Sequence, residues 1–306
     1  MVLAEFLMII DPVAVLMILI ATGYAAYRLG ILDRHATHKI SLFLLNVSIP
    51  ALIIVSMQIP PSAALLSNTL IFCIGVVVFY LFAVIVAYIG SSLFTMGEMR
   101  RGVFSFGILF GNIGFMGFPI AAALFGPESI FYVAIANLIF NLLIFSAGIV
   151  MITGRYEFNL KLLVNPGITA SLLGLALFLL EIRIPSPAID AMRLLGDLTT
   201  PLAMLIVGSF LATFPVREMI GDRTVFTGAA LRLLLLPAGT YLLLSPLIDD
   251  PLVLGILVLL AAMPVGSMTV IFADIYGSDE RFASQLVFLS TIVSLLTIPV
   301  ITLLLI

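Results

Sequence analysis

The sequence predicts an all-α integral membrane protein of ten transmembrane helices, and three observations predict it. The chain is 63% hydrophobic and only 9% charged, where a soluble domain carries about 25% charged residues. Its mean hydropathy is +1.32. Apolar runs of about 20 residues, the length that spans a bilayer as a helix, recur along the whole chain between short polar connections. The ten-residue alternation of outer-membrane barrel strands does not occur. This composition leaves essentially no room for a soluble domain.

The runs, in order, are 11–29, 39–58, 66–95, 100–124, 128–153, 165–182, 189–213, 222–247, 252–275 and 280–305. The first has no basic segment before it and no small-residue cleavage site after it, so it reads as a retained helix rather than a signal peptide. Each later run is bounded by a polar, Pro-rich or Gly-rich connection: LDRHATHK, QIPPS, GEMRR, PES, GRYEFNLK, RIPSP, PVREMIGDR, DDP and GSDER. Orientation follows from Lys and Arg. The connections after spans 1, 3, 5, 7 and 9 hold Arg28, Arg34, Lys39, Arg100, Arg101, Arg155, Lys161, Arg217, Arg223 and Arg281. The opposite side holds Arg183 and Arg193, and Arg232 lies inside a span. The basic side is expected in the cytoplasm of a plasma-membrane protein, with both termini facing outward.

A repeat is visible at an offset of 151 residues. Gly23 matches Gly174, Pro50 matches Pro201, Gly126 matches Gly277, and Asn46 matches Asp197. Five spans per repeat is an odd number, so the halves, 1–153 and 160–306, are expected to have opposite topology. Inverted repeats with interrupted helices at corresponding positions are the sequence pointer to a secondary transporter.

The interruptions are written into spans 4 and 9. GILFGNIGFMGFPI carries Gly111, Asn112, Ile113, Gly114, Gly117 and Pro119. At the matching offset, AAMPVGSMT carries Pro264, Val265, Gly266, Ser267 and Thr269. Glycine weakens a helix interior, and proline removes a donor and clashes with the preceding turn. A backbone group freed in lipid is costly unless something polar satisfies it. The start of a second half-helix carries partial positive charge and suits a carboxylate. The expectation is that the freed amides after Asn112 and after Pro264 face one shared, anion-accepting cavity near mid-membrane, with the Asn112 side chain in contact with substrate. A glycine face for close helix packing is the plainer alternative.

FGNIGFMGFPI, NVSIPALI, LTTPLAMLIVGSFL, LRLLLLPAG and AAMPVGSMTVIFADIYGSDERFASQLVFLSTI resemble the auxin efflux carrier family, from about Ile18 to the C-terminus. That family includes plant PIN carriers and bacterial carriers of malate, malonate and related acids. The resemblance implies two five-helix repeats, a fold shared with bile-acid sodium symporters, whose broken helices 4 and 9 cross at the substrate. It implies a scaffold from spans 11–58 and 165–213 and a transport unit from spans 66–153 and 222–305. It also implies a homodimer and elevator-type motion. The long loop of plant PIN carriers between spans 5 and 6 has no counterpart in this sequence.

Further candidates follow from intramembrane polarity. Asn137 and Asn141 are four apart and share a helix face; they serve either the crossing or interhelical hydrogen bonding. Span 10 offers Gln285, Ser290, Thr291 and Ser294. Arg232 is the basic residue deep in a span, where a charge costs from about 2.5 to more than 10 kcal/mol. It binds a substrate carboxylate, for which its planar fork is suited, or it pairs with Asp197. Asp197 and the equivalent Asn46 are the gating or coupling candidates.

Cys73 is the single cysteine, and no Cys/His spacing fits a metal. His35 and His38 sit in a basic loop. No nucleotide loop, catalytic constellation or nucleic-acid surface is present, so neither an enzyme nor a cofactor is expected. The reading is an alternating-access carrier of small mono- or dicarboxylates, with the lipid bilayer as its surroundings. A sodium-coupled bile-acid-like symporter and a membrane sensor on a transporter-like scaffold are the alternatives. The coupling ion, sodium or proton, stays open at this level.

Overall fold

The computed structural model describes residues 2–154, 165–215 and 222–305, with side chains described from residue 11 to 304 of these. The basic residues Arg155, Lys161 and Arg217 lie outside the described residues. Among those described, every regular element is helical. Helices α1 (Val2–Arg28), α2 (Arg34–Phe43), α3 (Ile49–Ser56) and α4 (Ala63–Ser92) are followed by α5 (Glu98–Leu109), α6 (Phe118–Phe125), α7 (Glu128–Leu143) and α8 (Ile149–Thr153). Then come α9 (Pro166–Leu179), α10 (Ala188–Asp197), α11 (Thr199–Thr213), α12 (Arg223–Ala230), α13 (Leu236–Leu244), α14 (Pro251–Ala262), α15 (Met268–Ile275) and α16 (Glu280–Leu305).

Six continuous segments are long and apolar enough to cross a membrane: Arg34–Ser56, Ala63–Ser92, Glu128–Thr153, Ala188–Thr213, Arg223–Leu244 and Glu280–Leu304. Spans 4 and 9 are each divided into two half-helices, α5 with α6 and α14 with α15. Pro119 acts differently from the sequence expectation, and Pro50 and Pro237 share its setting. Pro50, Pro119 and Pro237 each sit at the start of α3, α6 and α13, directly after a π-helical turn: Leu44–Ser48, Ile113–Gly117 and Leu231–Leu235. The wider turn shifts the carbonyl that the proline ring would strike, so the helix continues through these positions. Pro119 therefore lies within the half-helix Ile113–Phe125, and the interruption of span 4 lies upstream, at Phe110–Asn112.

The described chain divides into two compact units. The first comprises Met1–Leu70, Gly114–Asn141 and Leu160–Thr213. Its centre is the crossing of α1 and α11, where helices approach until backbones touch. A Cβ on Gly23 would strike the Leu205 carbonyl, and one on Gly208 would strike the Ile20 carbonyl. Small residues permit such crossings in membranes, where packing rather than water exclusion holds helices together. Helix α3 packs against α9 and α10, with Gly174 against Met57 and Gly196 against the Leu52 backbone. Thr199 donates to Ser48 Oγ (3.3 Å), and Ser48 donates to the Leu195 carbonyl (2.6 Å). Ser48 and Thr199 are themselves 151 positions apart.

The second unit comprises Ile71–Ile113, Leu142–Asn159 and Phe214–Ile306. Here α16 packs against α5, α12, α14 and α15. Gly102 lets α5 lie on the Met151 backbone of α8, and Phe106, Phe110, Phe145 and Phe272 form a linked aromatic cluster beside it. Arg100 at the start of α5 pairs with Asp222, the N-cap of α12.

Candidate functional site

The two interruptions meet inside the second unit. Phe110 and Met263, the residues that end α5 and α14, are both extended (φ −107°, ψ 95° and φ −60°, ψ 140°). Extended backbone at Met263 follows from Pro264, whose ring excludes the helical conformation for the residue before it. The extended segments pair as a short antiparallel bridge between Gly111 and Val265. Asn112 N–H donates to the Pro264 carbonyl (2.8 Å), and Gly266 N–H donates to the Phe110 carbonyl (2.9 Å). Val265 N–H donates to Ser290 Oγ on α16 (3.1 Å). Groups freed by breaking two helices thus satisfy one another, as burial in a bilayer demands.

Arg232 completes the arrangement. It is 1% exposed and lies in the π-helical turn between α12 and α13. Its Nε donates to the Met263 carbonyl (2.8 Å), Nη1 to the Ile108 carbonyl (2.8 Å) and Nη2 to the Leu260 carbonyl (3.3 Å). These carbonyls terminate α5 and α14. One guanidinium therefore caps two helix C-termini at once, and the partial negative charge at both ends stabilises its cation. The planar fork suits this because its donors diverge toward separate acceptors. Its carbon Cζ also lies 5.9 Å from the centre of the Phe79 ring. Gly111 is required by the same packing, because a Cβ there would fall on Nη2 of Arg232.

The sequence candidates separate accordingly. Gly111, Asn112, Ile113, Pro264, Val265, Gly266 and Ser267 stand with Arg232 in the second unit. Asn112 is 8% exposed. The amides of Asn112, Ile113, Val265 and Gly266 are held by acceptors within the unit. The first N–H groups of α15, on Ser267 and Met268, take no acceptor among the described residues, nor does the buried Thr269 hydroxyl. The donors left open at the second break are therefore those of Ser267 and Met268, among the amides that follow Pro264.

Gly114, Pro119, Asn137, Asn141, Asn46 and Asp197 belong to the first unit. Asn137 and Asn141 lie together on α7, with Asn141 Nδ2 donating to the Asn137 carbonyl (2.7 Å). Asn46 is exposed and donates to the Leu42 carbonyl of its own helix (2.6 Å). Asp197 is exposed at the end of α10. Ion pairs among the described residues join Arg100 to Asp222 and Arg193 to Asp190, while the Arg232 donors named above go to carbonyls.

Asn165 is a neighbour of Asn141 that sequence reasoning did not name. Asn165 caps α9 by accepting from Ile168 N–H (2.9 Å), and its Nδ2 lies 3.5 Å from Asn141 Oδ1. The signal was present as Asn-Pro-Gly, a helix-start signature of capping residue followed by proline. Among the described residues no group of His, Cys, Asp and Glu is arranged to hold a metal.

Comparison with known proteins gives a consistent picture. The model of the family described as "membrane transport protein" matches residues 8–159 and 156–302. A protein of Methanocaldococcus jannaschii, described as an uncharacterized transporter, is 24% identical over 94% of this chain and 96% of its own length. A protein of Methanothermobacter thermautotrophicus with the same description is 27% identical over 94% and 96%. A putative malonate transporter of Rhizobium meliloti is 25% identical over 92% and 90%.

Proposed function

This chain belongs to the membrane transport protein family, that of the auxin efflux carriers, and from that premise we propose that it is a secondary carrier of small organic anions. The carried species are mono- or dicarboxylates, and the mechanism is alternating access of elevator type. The observation that carries the reading is the open start of α15. There the Ser267 and Met268 N–H groups and the Thr269 hydroxyl stand without acceptors beside the Gly111–Val265 bridge. Such a start favours an anion through partial positive charge and directed donors. The Asn112 side chain, in the same break, supplies donor and acceptor to fix orientation. Arg232 contributes by holding the break open in shape, because its donors cap carbonyls.

The paired break makes physical sense for a carrier. A substrate needs polar groups at mid-membrane, and lipid forbids loose ones. Locking most freed amides into a bridge leaves a few donors presented by rigid backbone, which lowers the cost of binding. The recurrence of matched features 151 residues apart supports inverted repeats. Ser48 bonds Thr199, and Gly126 and Gly277, each beyond a half-helix, both have positive φ (78° and 63°). The loop charges support cytoplasmic odd connections with both termini outside, and a homodimer is the assembly proposed.

The test is uptake into proteoliposomes across a panel of mono- and dicarboxylates that includes malonate, with imposed sodium or proton gradients. Saturable flux of at least one acid is expected. Asn112→Ala is expected to fold and to lose affinity at least tenfold. Absence of flux for every acid, with monodisperse protein in the vesicles, refutes the carrier reading. Wild-type affinity in Asn112→Ala removes the break from the binding site.

A further inference from the structure

We propose that the turn between α1 and α2, with the exposed side of α2 and α3 below it, is a binding site for an anionic phospholipid, built entirely within the first unit. Arg28 ends α1, and Arg34, His35, His38 and Lys39 lie on α2. Three fixed cations thus stand against one carboxylate, Asp33, in a chain whose net charge is −3. Asp33 is committed to the start of α2, where its side chain accepts from Ala36 N–H (2.6 Å). Arg28, Arg34 and Lys39 are exposed and enter no ion pair among the described residues. In the second unit, by contrast, Arg100 is paired with Asp222, and the exposed Arg281 directly follows Asp279 and Glu280.

Two features put this cluster at the level of lipid headgroups. Arg34–Ser56 is a continuous helical segment long and apolar enough to cross a membrane, and Arg34 and Lys39 lie in its first turns. Tyr24 and Tyr27 stand just before Arg28, and tyrosine gathers at the membrane–water interface. Arg28 Nε donates to the Tyr24 hydroxyl (3.3 Å), and its guanidinium lies 5.5 Å from the centre of that ring. Leu29 and Ile31, in the turn itself, are 75% and 73% exposed. A corner that is both basic and apolar matches a lipid, which presents a phosphate beside hydrocarbon, better than it matches water or a soluble acidic protein.

The hydrocarbon also has a place to go. Lys39 and Pro50 belong to the same continuous segment, and the residues between them span about 16 Å at 1.5 Å per residue. That is close to the depth of one leaflet, half of a hydrocarbon core of about 30 Å. Leu42, Leu45 and Asn46 are exposed along the way. At Pro50 the segment reaches a cleft of about 400 Å³, lined by Pro50 and Ile54 of α3 and by Thr169, Ala170 and Leu173 of α9 among others. Its walls are mostly apolar. The phosphate of the lipid therefore meets Arg34 and Lys39, and one acyl chain descends beside α2 and ends in the cleft. An anionic headgroup is required because it supplies the charge that Asp33 alone does not.

The test is titration of the delipidated full-length protein in detergent with dioleoyl phosphatidylglycerol, read by native mass spectrometry, with dioleoyl phosphatidylcholine as the zwitterionic control. One phosphatidylglycerol is expected to bind at least tenfold more tightly than phosphatidylcholine. Arg34→Gln and Lys39→Gln should each weaken it about fivefold, the share of one cation near an anionic surface, and together about 25-fold. Arg281→Gln removes the same charge in the second unit and should leave the affinity unchanged. Thr169→Phe fills the cleft and should weaken dioleoyl but not dihexanoyl phosphatidylglycerol. Equal binding of the two headgroups, full affinity in the folded double variant, or an equal loss in Arg281→Gln overturns the site, as does full dioleoyl affinity in folded Thr169→Phe. Loss of a dimer in the double variant with lipid binding unchanged also overturns it and assigns the surface to a second copy. None of these readouts uses flux, so the carrier reading stands or falls separately.

Discussion

Replacing Arg232 by methionine keeps most of the side-chain volume and deletes all its donors. Three carbonyls, on Ile108, Leu260 and Met263, lose their guanidinium partner. A buried polar group left unpaired costs about 1–3 kcal/mol in water-soluble proteins, while interhelical hydrogen bonds in a bilayer average about 0.6 kcal/mol. Three acceptors then give a destabilisation of about 2 to 9 kcal/mol across that range. At about 2 °C per kcal/mol for a chain of this size, the melting temperature falls by about 4 to 18 °C. Arg232→Lys keeps the charge but lacks the fork, so it reaches fewer carbonyls and recovers part of the loss. The assay is thermal unfolding in detergent, followed by loss of the monodisperse peak, with binding affinity measured on the same samples. An unchanged melting temperature in Arg232→Met together with abolished substrate binding would refute the capping argument. It would place the guanidinium on the substrate.

Three more outcomes follow from the same geometry. Gly111→Ala puts a methyl group on Arg232 Nη2 and is expected to cost about 1–3 kcal/mol by overpacking. In an Arg232→Met background that cost should shrink, and a double-mutant cycle showing simple additivity would disprove the contact. Ser290→Ala leaves Val265 N–H without its acceptor and is expected to lower stability by about 1–3 kcal/mol, read as a shift in melting temperature. Gly208→Ala drives a Cβ into the Ile20 carbonyl, backbone against backbone, so α1 and α11 must separate. It should reduce the yield of folded protein, and wild-type yield and melting temperature would show that the crossing is looser than described.

Much of the fold was legible because its determinants are local. Apolar run length against polar connections marked helices, and six continuous segments of spanning length lie where runs were expected. The extended residue before Pro264 followed from one steric rule, and the Gly-rich stretch before Asn112 marked the other interruption. Pro119 does not break its helix as local sterics indicate: a π-helical turn accommodates it, as at Pro50 and Pro237, and that choice depends on what the widened turn packs against. At the site, residue types pointed to the break but not to its hydrogen-bond pattern. The Arg232 acceptors lie 31, 124 and 28 positions away, and carbonyls carry no residue identity that a sequence could advertise.

By itself, then, the sequence determined that this is a multi-helix membrane protein with two helices interrupted at matching positions, because hydropathy and Pro/Gly sterics act within a few residues. Only the tertiary structure decided that the interruptions pair with each other, that a buried cation caps both helix ends, and which of the freed donors stay open at the start of α15. Satisfying a backbone group in lipid requires a partner from another segment, and which segment arrives is a property of the packed chain alone.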